Sequence, residues 1–231
     1  MAETTETLER VMLIAAHPDD PEFGCGGTIA KWAQAGKAIT YVLLTSGDKG
    51  SKDPNIHPGQ LATQREAEQR AAAQVLGVQQ VIFLRHPDGL LENNLDLRRQ
   101  LAGIIRKFKP NILVAIDPWR RYQLHPDHRA AGFAALDGFW AAREWHLFPE
   151  QLDADDEPWR IKELYLFWTD YADYYEDVTE TIDQRIAALA CHVSQVGTDH
   201  QKLDERIRER AKKTGEEAGF AYAEGLKRIT F

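Results

Sequence analysis

Ala15-Ala16-His17-Pro18-Asp19-Asp20-Pro21-Glu22-Phe23-Gly24-Cys25-Gly26-Gly27-Thr28 is the stretch on which the fold turns. The apolar run before it, Val11-Met12-Leu13-Ile14, reads as a buried strand, and Ile29 to Gln34 after it reads as the start of a helix. A strand-to-helix turn at the carboxyl end of a strand is where open α/β sheets bind ligands. Folding alone gives little reason to crowd a His, two Asp and a Glu there, since like charges repel and buried charges lose their hydration. A divalent metal supplies a reason, because it takes neutral imidazole and deprotonated carboxylate at short range.

Working outward, the same alternation recurs. Strands are predicted over 10–16, 39–45, 81–84 and 111–116, and helices over 28–35, 60–76, 95–108 and 130–142. Gly36 and Gly77 fall where C-terminal helix caps are expected, and Pro110 stops the third helix. Four rounds of strand then helix predict an α/β protein, a three-layer Rossmann-like fold with a mainly parallel sheet. Residues 143–163 are irregular and acidic, 164–168 read as one more strand, and Thr179 or Thr181 is expected to cap a helix towards Val193. The stretch 199–213 reads as a charged helix with few apolar positions, placed at the periphery or in an oligomer contact. At 231 residues, a single domain spanning 1–231 is expected.

Composition narrows the function classes. Hydrophobic residues make up 43% and charged residues 28%, an ordinary globular balance. The net charge of −8 argues against nucleic acid or an anionic membrane surface as the main partner. The opening residues Met1 to Glu6 are acidic and lack an apolar core, so no secretory signal is expected. No apolar run approaches the ~18 residues of a membrane helix. Two cysteines, Cys25 and Cys191, make no disulfide framework, which points to a reduced, cytoplasmic setting.

A second polar turn follows the fourth strand: Asp117-Pro118-Trp119-Arg120-Arg121-Tyr122-Gln123-Leu124-His125-Pro126-Asp127-His128-Arg129. Pro126 suits the first turn of a helix, which puts Asp127 and His128 in that turn and His125 at its start. His17 and Asp20 can share one ion, and His128 can complete the set from the neighbouring turn. Two His and one carboxylate with an open fourth position are a ligand set of hydrolytic zinc sites. Asp19, beside a ligand, is then free to take the proton from the metal-bound water. His125 can protonate a leaving group or steady an oxyanion, and Asp127 is expected to hold the imidazole of His125 in one tautomer. The rival dinucleotide reading fails on spacing: Gly24, Gly26 and Gly27 do not make G-x-G-x-x-G.

His17-Pro18-Asp19-Asp20, Gly24-Cys25-Gly26-Gly27-Thr28 and His125-Pro126-Asp127-His128 resemble the paired motifs of the PIG-L/LmbE family of zinc-dependent N-acetylglucosaminyl de-N-acetylases. The shorter blocks Thr45-Ser46-Gly47-Asp48-Lys49-Gly50, Arg65-Glu66-Ala67-Glu68, Leu76-Gly77-Val78 and His192-Val193-Ser194-Gln195 resemble family blocks too. The resemblance implies His17, Asp20 and His128 as zinc ligands, Asp19 as general base and His125 as the electrostatic partner or acid. It also implies sugar contacts at Arg65 and Asp88, an oxyanion role for Tyr122, and a homo-oligomer. Pro21 separates the Asp pair from Glu22, a pattern similar to a subset of the family.

The function expected is a zinc hydrolase that removes acetyl from an N-acetylglucosamine-type amide. A metal-dependent amidase acting on another amide, such as a thiol conjugate, and a non-catalytic sugar- or nucleotide-binding domain are the alternatives. Iron(II) or cobalt would suit the ligand set as well as zinc. Elsewhere the plain expectations are solvated loops for His57, His86, His146 and His200, a packing role for His192 and a small buried hydrophobe at Cys25. Trp119, Trp140, Trp145, Trp159 and Trp168 are expected in the core or an interface.

Overall fold

A computed structural model describes residues 8–152 and 157–231. The acidic opening at 1–6, and 153–156 within the irregular acidic stretch, lie outside the described residues. The first half alternates as expected: β1 (Arg10–Ala15), α1 (Asp20–Gln34), β2 (Ala38–Thr45), α2 (Pro58–Leu76), β3 (Gln80–His86), α3 (Leu95–Phe108), β4 (Ile112–Ile116) and α4 (Pro126–Ala142). The second half adds β5 (Glu163–Phe167), β6 (Tyr174–Asp177), α5 (Ile182–Ala190), α6 (Val193–Val196), α7 (His200–Ala218) and β7 (Ala223–Thr230).

The seven strands form one sheet in the order β3-β2-β1-β4-β5-β7-β6. The first five are mutually parallel, and β7 runs antiparallel between β5 and β6. β1 and β4 carry continuous apolar runs that are buried throughout from Val11 and Ile112. That is the signature of parallel strands covered on both faces. Helices α1, α2 and α5 pack together, and α3 packs on α4. The strand order reverses between β1 and β4, so the loops after these two strands open into one crevice.

Two expectations change here. The first helix begins at Asp20 rather than Thr28, with a backbone break at Cys25, whose φ is −154°. The break leaves backbone groups without helical partners, and two buried side chains satisfy them. Glu224 on β7 accepts from the amides of Gly27 (2.8 Å) and Thr28 (2.7 Å) and from the Thr28 hydroxyl (2.6 Å). Arg185 on α5 donates to the carbonyls of Glu22 (3.0 Å) and Phe23 (2.7 Å), and pairs with Glu224 at 3.0 Å. The glycines make the approach possible: a Cβ on Gly27 would sit 2.8 Å from Val178, and one on Gly24 would run into the Phe167 ring.

The second change concerns α7. Its Leu203, Ile207 and Ala211 are buried against Ile182 and Leu189, so its sparse apolar positions make a packed stripe. Trp119, Trp140 and Trp145 are exposed, because they sit in loops or on the outer face of α4, which leaves the interface half of the core-or-interface expectation for them. Among the described residues, no helix is long and apolar enough to cross a membrane.

Glu224→Ala is expected to cost about 3–5 kcal/mol, since it leaves Arg185 and two amides buried without their acceptor. Urea denaturation measures this, and a loss under about 1 kcal/mol would show that the break stands without the pair.

Candidate active site

Both polar turns meet at the crevice. His17 follows β1, Asp19 and Asp20 open α1, and His125 to His128 open α4. Asp20 is buried and bridges the turns: its Oδ2 lies 3.4 Å from His17 Nδ1, and its Oδ1 lies 3.2 Å from His128 Nε2. The amide of His17 also donates to Asp20 Oδ2 at 2.9 Å, which fixes the carboxylate. Each spacing is near the roughly 3.3 Å between neighbouring donor atoms of tetrahedral zinc, with the two imidazoles meeting different oxygens of the carboxylate. The imidazoles of His17, His125 and His128 also come together, with donor atoms within 4.8 Å of one another. His125 stacks on His128 with ring centroids 4.4 Å apart.

The far nitrogen of His17 sets its tautomer. Nε2 lies 3.0 Å from Asp88 Oδ1 and 3.3 Å from Asp127 Oδ2, so it carries a proton and leaves Nδ1 to face Asp20. His17, Asp88 and Asp127 are a second group with metal-binding spacing. Their carboxylates are already engaged by backbone: Asp127 accepts from the amides of Gly89 (2.7 Å) and Leu91 (3.2 Å), and Asp88 from that of Lys49 (2.9 Å). This arrangement corrects one expectation. Asp127 orients His17, not His125, because the loop after β3 holds its carboxylate beneath the first turn.

Electrostatics follow from this packing. Burial disfavours a charged His17, but hydrogen bonds to Asp127, Asp20 and Asp88 overcome it and raise its pKa to about 11, so an ion at Nδ1 would have to displace a proton there. Burial also opposes the charge on Asp20, yet His128 and His17 hold that carboxyl far below its usual range. Asp19 goes the other way. Burial first, then the charge of Asp20, push its carboxyl up to about 7 against the pull of Arg65, His192 and His17. Dehydration in the cleft, then His128 and His17, keep His125 below its ordinary value.

Asp19 sits on a strained backbone, with φ at +87°. Its amide donates to Gln69 Oε1 at 2.9 Å, and Gln69 donates in turn to Glu22 at 2.8 Å. Glu22 also meets His192 Nε2 at 3.2 Å, and all three supporting side chains are fully buried. The packing expectation for His192 thus holds, with Glu22 as its partner. Arg65 is only 4% exposed, donates to the carbonyls of Pro18 (2.7 Å) and Gly47 (3.0 Å), and lies 3.4 Å from Asp19 Oδ2.

Of the sugar-contact candidates, Arg65 and Asp88 line the cleft, which has a volume of about 440 Å³. Tyr122 does not: it is 86% exposed on a left-handed turn, with φ at +61°. Sequence reasoning missed Gln69, Phe23 and Gln195, and gave Trp168 no specific place. Gln69 had a signal, as it shares the buried stripe of α2 with Arg65, Ala72 and Leu76, where a polar residue needs a partner.

Comparison with known proteins shows the family. The family model described as PIG-L, GlcNAc-PI de-N-acetylase, matches residues 12–139. This chain belongs to the PIG-L family. A diacetylchitobiose deacetylase from Thermococcus kodakarensis is 33% identical over 221 residues, covering 95% of this chain and 83% of that protein. Among solved structures, N,N'-diacetylchitobiose deacetylase from Pyrococcus horikoshii superposes with a TM-score of 0.91 at 32% identity, over 96% of this chain and 84% of that one. A 4-carboxy-2-hydroxymuconate hydratase from Pseudomonas putida shares the fold at a TM-score of 0.82 and 22% identity, covering 97% of each chain.

Asp127→Asn is expected to weaken divalent-metal affinity about 10- to 100-fold, as the support of His17 is lost. Competition against a chelating dye reads this out, and unchanged affinity would remove Asp127 from the supporting role.

Proposed function

We propose that this protein is a metal-dependent hydrolase that removes the acetyl group from an N-acetylglucosamine-type conjugate, with zinc as the ion. The carrying observation is Asp20, set between His17 and His128 at 3.4 and 3.2 Å, with the Asp19 carboxylate opening into the same cleft. The names of the relatives favour the sugar amide, as the two most similar quoted above are diacetylchitobiose deacetylases.

His17 Nδ1, Asp20 and His128 would hold the ion, whose chemistry is to acidify a bound water and polarise the amide carbonyl. Asp19, with a proton affinity matched to neutral pH, accepts a proton from the attacking water as its oxygen bonds to the carbonyl carbon. Asp19 then returns that proton to the nitrogen as the C–N bond breaks, so acetate and a free amine leave. His125 is uncharged at neutral pH, which suits it to donate a hydrogen bond to the oxyanion rather than to deliver a stored proton. Arg65 and Asp88 line the cleft wall, which supports reading them as contacts to sugar hydroxyls. Tyr122 has no part in this reading.

A carboxyl pushed up to about 7 despite the neighbouring Arg65, set against a metal-type donor set, has no use in a passive binding domain, which favours hydrolysis over that alternative. Both cysteines are free thiols, in keeping with a cytoplasmic setting. Exposed Trp119, Tyr122 and Leu124 around the second turn suit a face covered by another copy in a homo-oligomer.

Purified protein is expected to carry about one divalent ion per chain. Acetate release from N-acetylglucosamine conjugates should stop on chelation and return with zinc. Asp19→Asn should keep the ion while losing about 10²- to 10⁴-fold in kcat. Metal-independent release, or an Asp19→Asn enzyme with normal kcat, would sink the proposal.

A further inference from the structure

Beside the cleft lies a second cavity of about 770 Å³, which shares with it the walls Phe23, His128 and Trp168. Its charge is unlike that of the chain as a whole. Arg120, Arg185, Arg206 and Arg210 line it, in a protein of net charge −8, and its one carboxylate is Glu224. That carboxylate is spent on Gly27, Thr28 and Arg185, and offers nothing to the other guanidinium groups. Arg120 has a single distant acid, Asp170 at 4.0 Å. Arg206 rests on the Phe23 ring at 5.5 Å, and neither Arg206 nor Arg210 has a carboxylate partner among the described residues.

Folding does not account for these arginines. Arg206 and Arg210 stand four apart on α7, both exposed, with Lys202 a further four residues back. Like charges at that spacing destabilise a helix by about 0.2–0.5 kcal/mol per pair. The buried stripe of α7 uses Leu203, Ile207 and Ala211 instead. What the two guanidinium groups share is the cavity.

We propose that this cavity is the subsite for the part of the conjugate beyond the acetylated sugar, and that it takes an anionic group, a carboxylate or a phosphate. The proposal rests on the deacetylase reading above. His128, a candidate metal ligand, lines both spaces together with Trp168, so the cavity lies next to the candidate metal site, where a group linked to the sugar would extend. Guanidinium forks bind both anions in bidentate fashion, and three of the four arginines here have hydrogen-bonding capacity to spare. Trp168, half-buried and tilted over His128 with centroids 5.1 Å apart, forms the partition between sugar and anion.

The test compares kcat/KM of the metal-loaded enzyme on four conjugates. Two are anionic: N-acetylglucosamine 1-phosphate and an N-acetylglucosaminide of a hydroxy acid. Two are neutral: the methyl glycoside and diacetylchitobiose. The anionic pair is expected to lead by about tenfold or more, with the lead shrinking as salt rises. Which of the two anionic conjugates leads distinguishes phosphate from carboxylate. In the double variant Arg206→Gln/Arg210→Gln, the anionic-to-neutral ratio should fall about tenfold through KM, while Arg206→Lys, which keeps the charge and loses the fork, should keep only part of it. Both sites lie on the exposed face of α7, so circular dichroism should match the parent. Equal or better turnover of the neutral conjugates, or a ratio unmoved in the double variant, would overturn the anionic subsite and leave the deacetylase reading intact. No release from any conjugate would overturn both.

Discussion

The ion pair between Arg185 and Glu224 is the contact on which the site depends. It lies under the break at Cys25, where a helix would otherwise leave carbonyls and amides without partners in the interior. By satisfying the carbonyls of Glu22 and Phe23 from one side and the amides of Gly27 and Thr28 from the other, the pair lets the first turn of α1 hold its own direction. Asp20 and Asp19 belong to that first turn. Buried ion pairs rarely add net stability over an apolar packing of the same volume, so a pair kept here is better explained by the backbone shape it enforces.

The chemistry of the site comes from unequal treatment of neighbouring carboxylates. Asp20 is surrounded by imidazoles and stays charged, while Asp19, one residue earlier, meets mainly burial and the charge of Asp20. Two adjacent groups of the same type therefore part in proton affinity, the condition for giving one a structural charge and the other a proton to carry. The left-handed backbone at Asp19 is the strain that this placement needs. Gln69, Glu22 and His192 form a buried polar chain that bears it, with every link hydrogen-bonded to the next.

Much of this was legible in the chain. Apolar runs ending in polar turns revealed the parallel sheet, and the two His-Pro-Asp turns revealed where the crevice lies. What escaped was whatever depends on contacts distant in sequence. β6 is an edge strand and β7 its inner neighbour, and both carry charged residues among the apolar ones, so their periodicity is weak. The partner of Asp127 turned out to be His17, because the loop at Gly89 and Leu91 decides where that carboxylate points, and no local spacing encodes it. Tyr122 looked useful from its nearness to His125 in sequence, but the turn's backbone sends it to solvent. The early start of α1 could not be read either, since the residues that permit it are Arg185 and Glu224.

The bond from Thr28 to Glu224 spans 196 residues, and this separation has a consequence for the newborn protein. At about 5–20 residues per second, a ribosome needs roughly 10–40 s to travel from one partner to the other. During that interval the polar turn after β1 exists without the carboxylate that shapes it, and so does the break at Cys25. The first half of the sheet has time to pair while its reactive corner is still unformed. Long-range closure of this kind is slow, because chain entropy must be overcome before the contact repays it. The polar corner is thus encoded early in the chain and completed only once the strand carrying Glu224 docks beside β5.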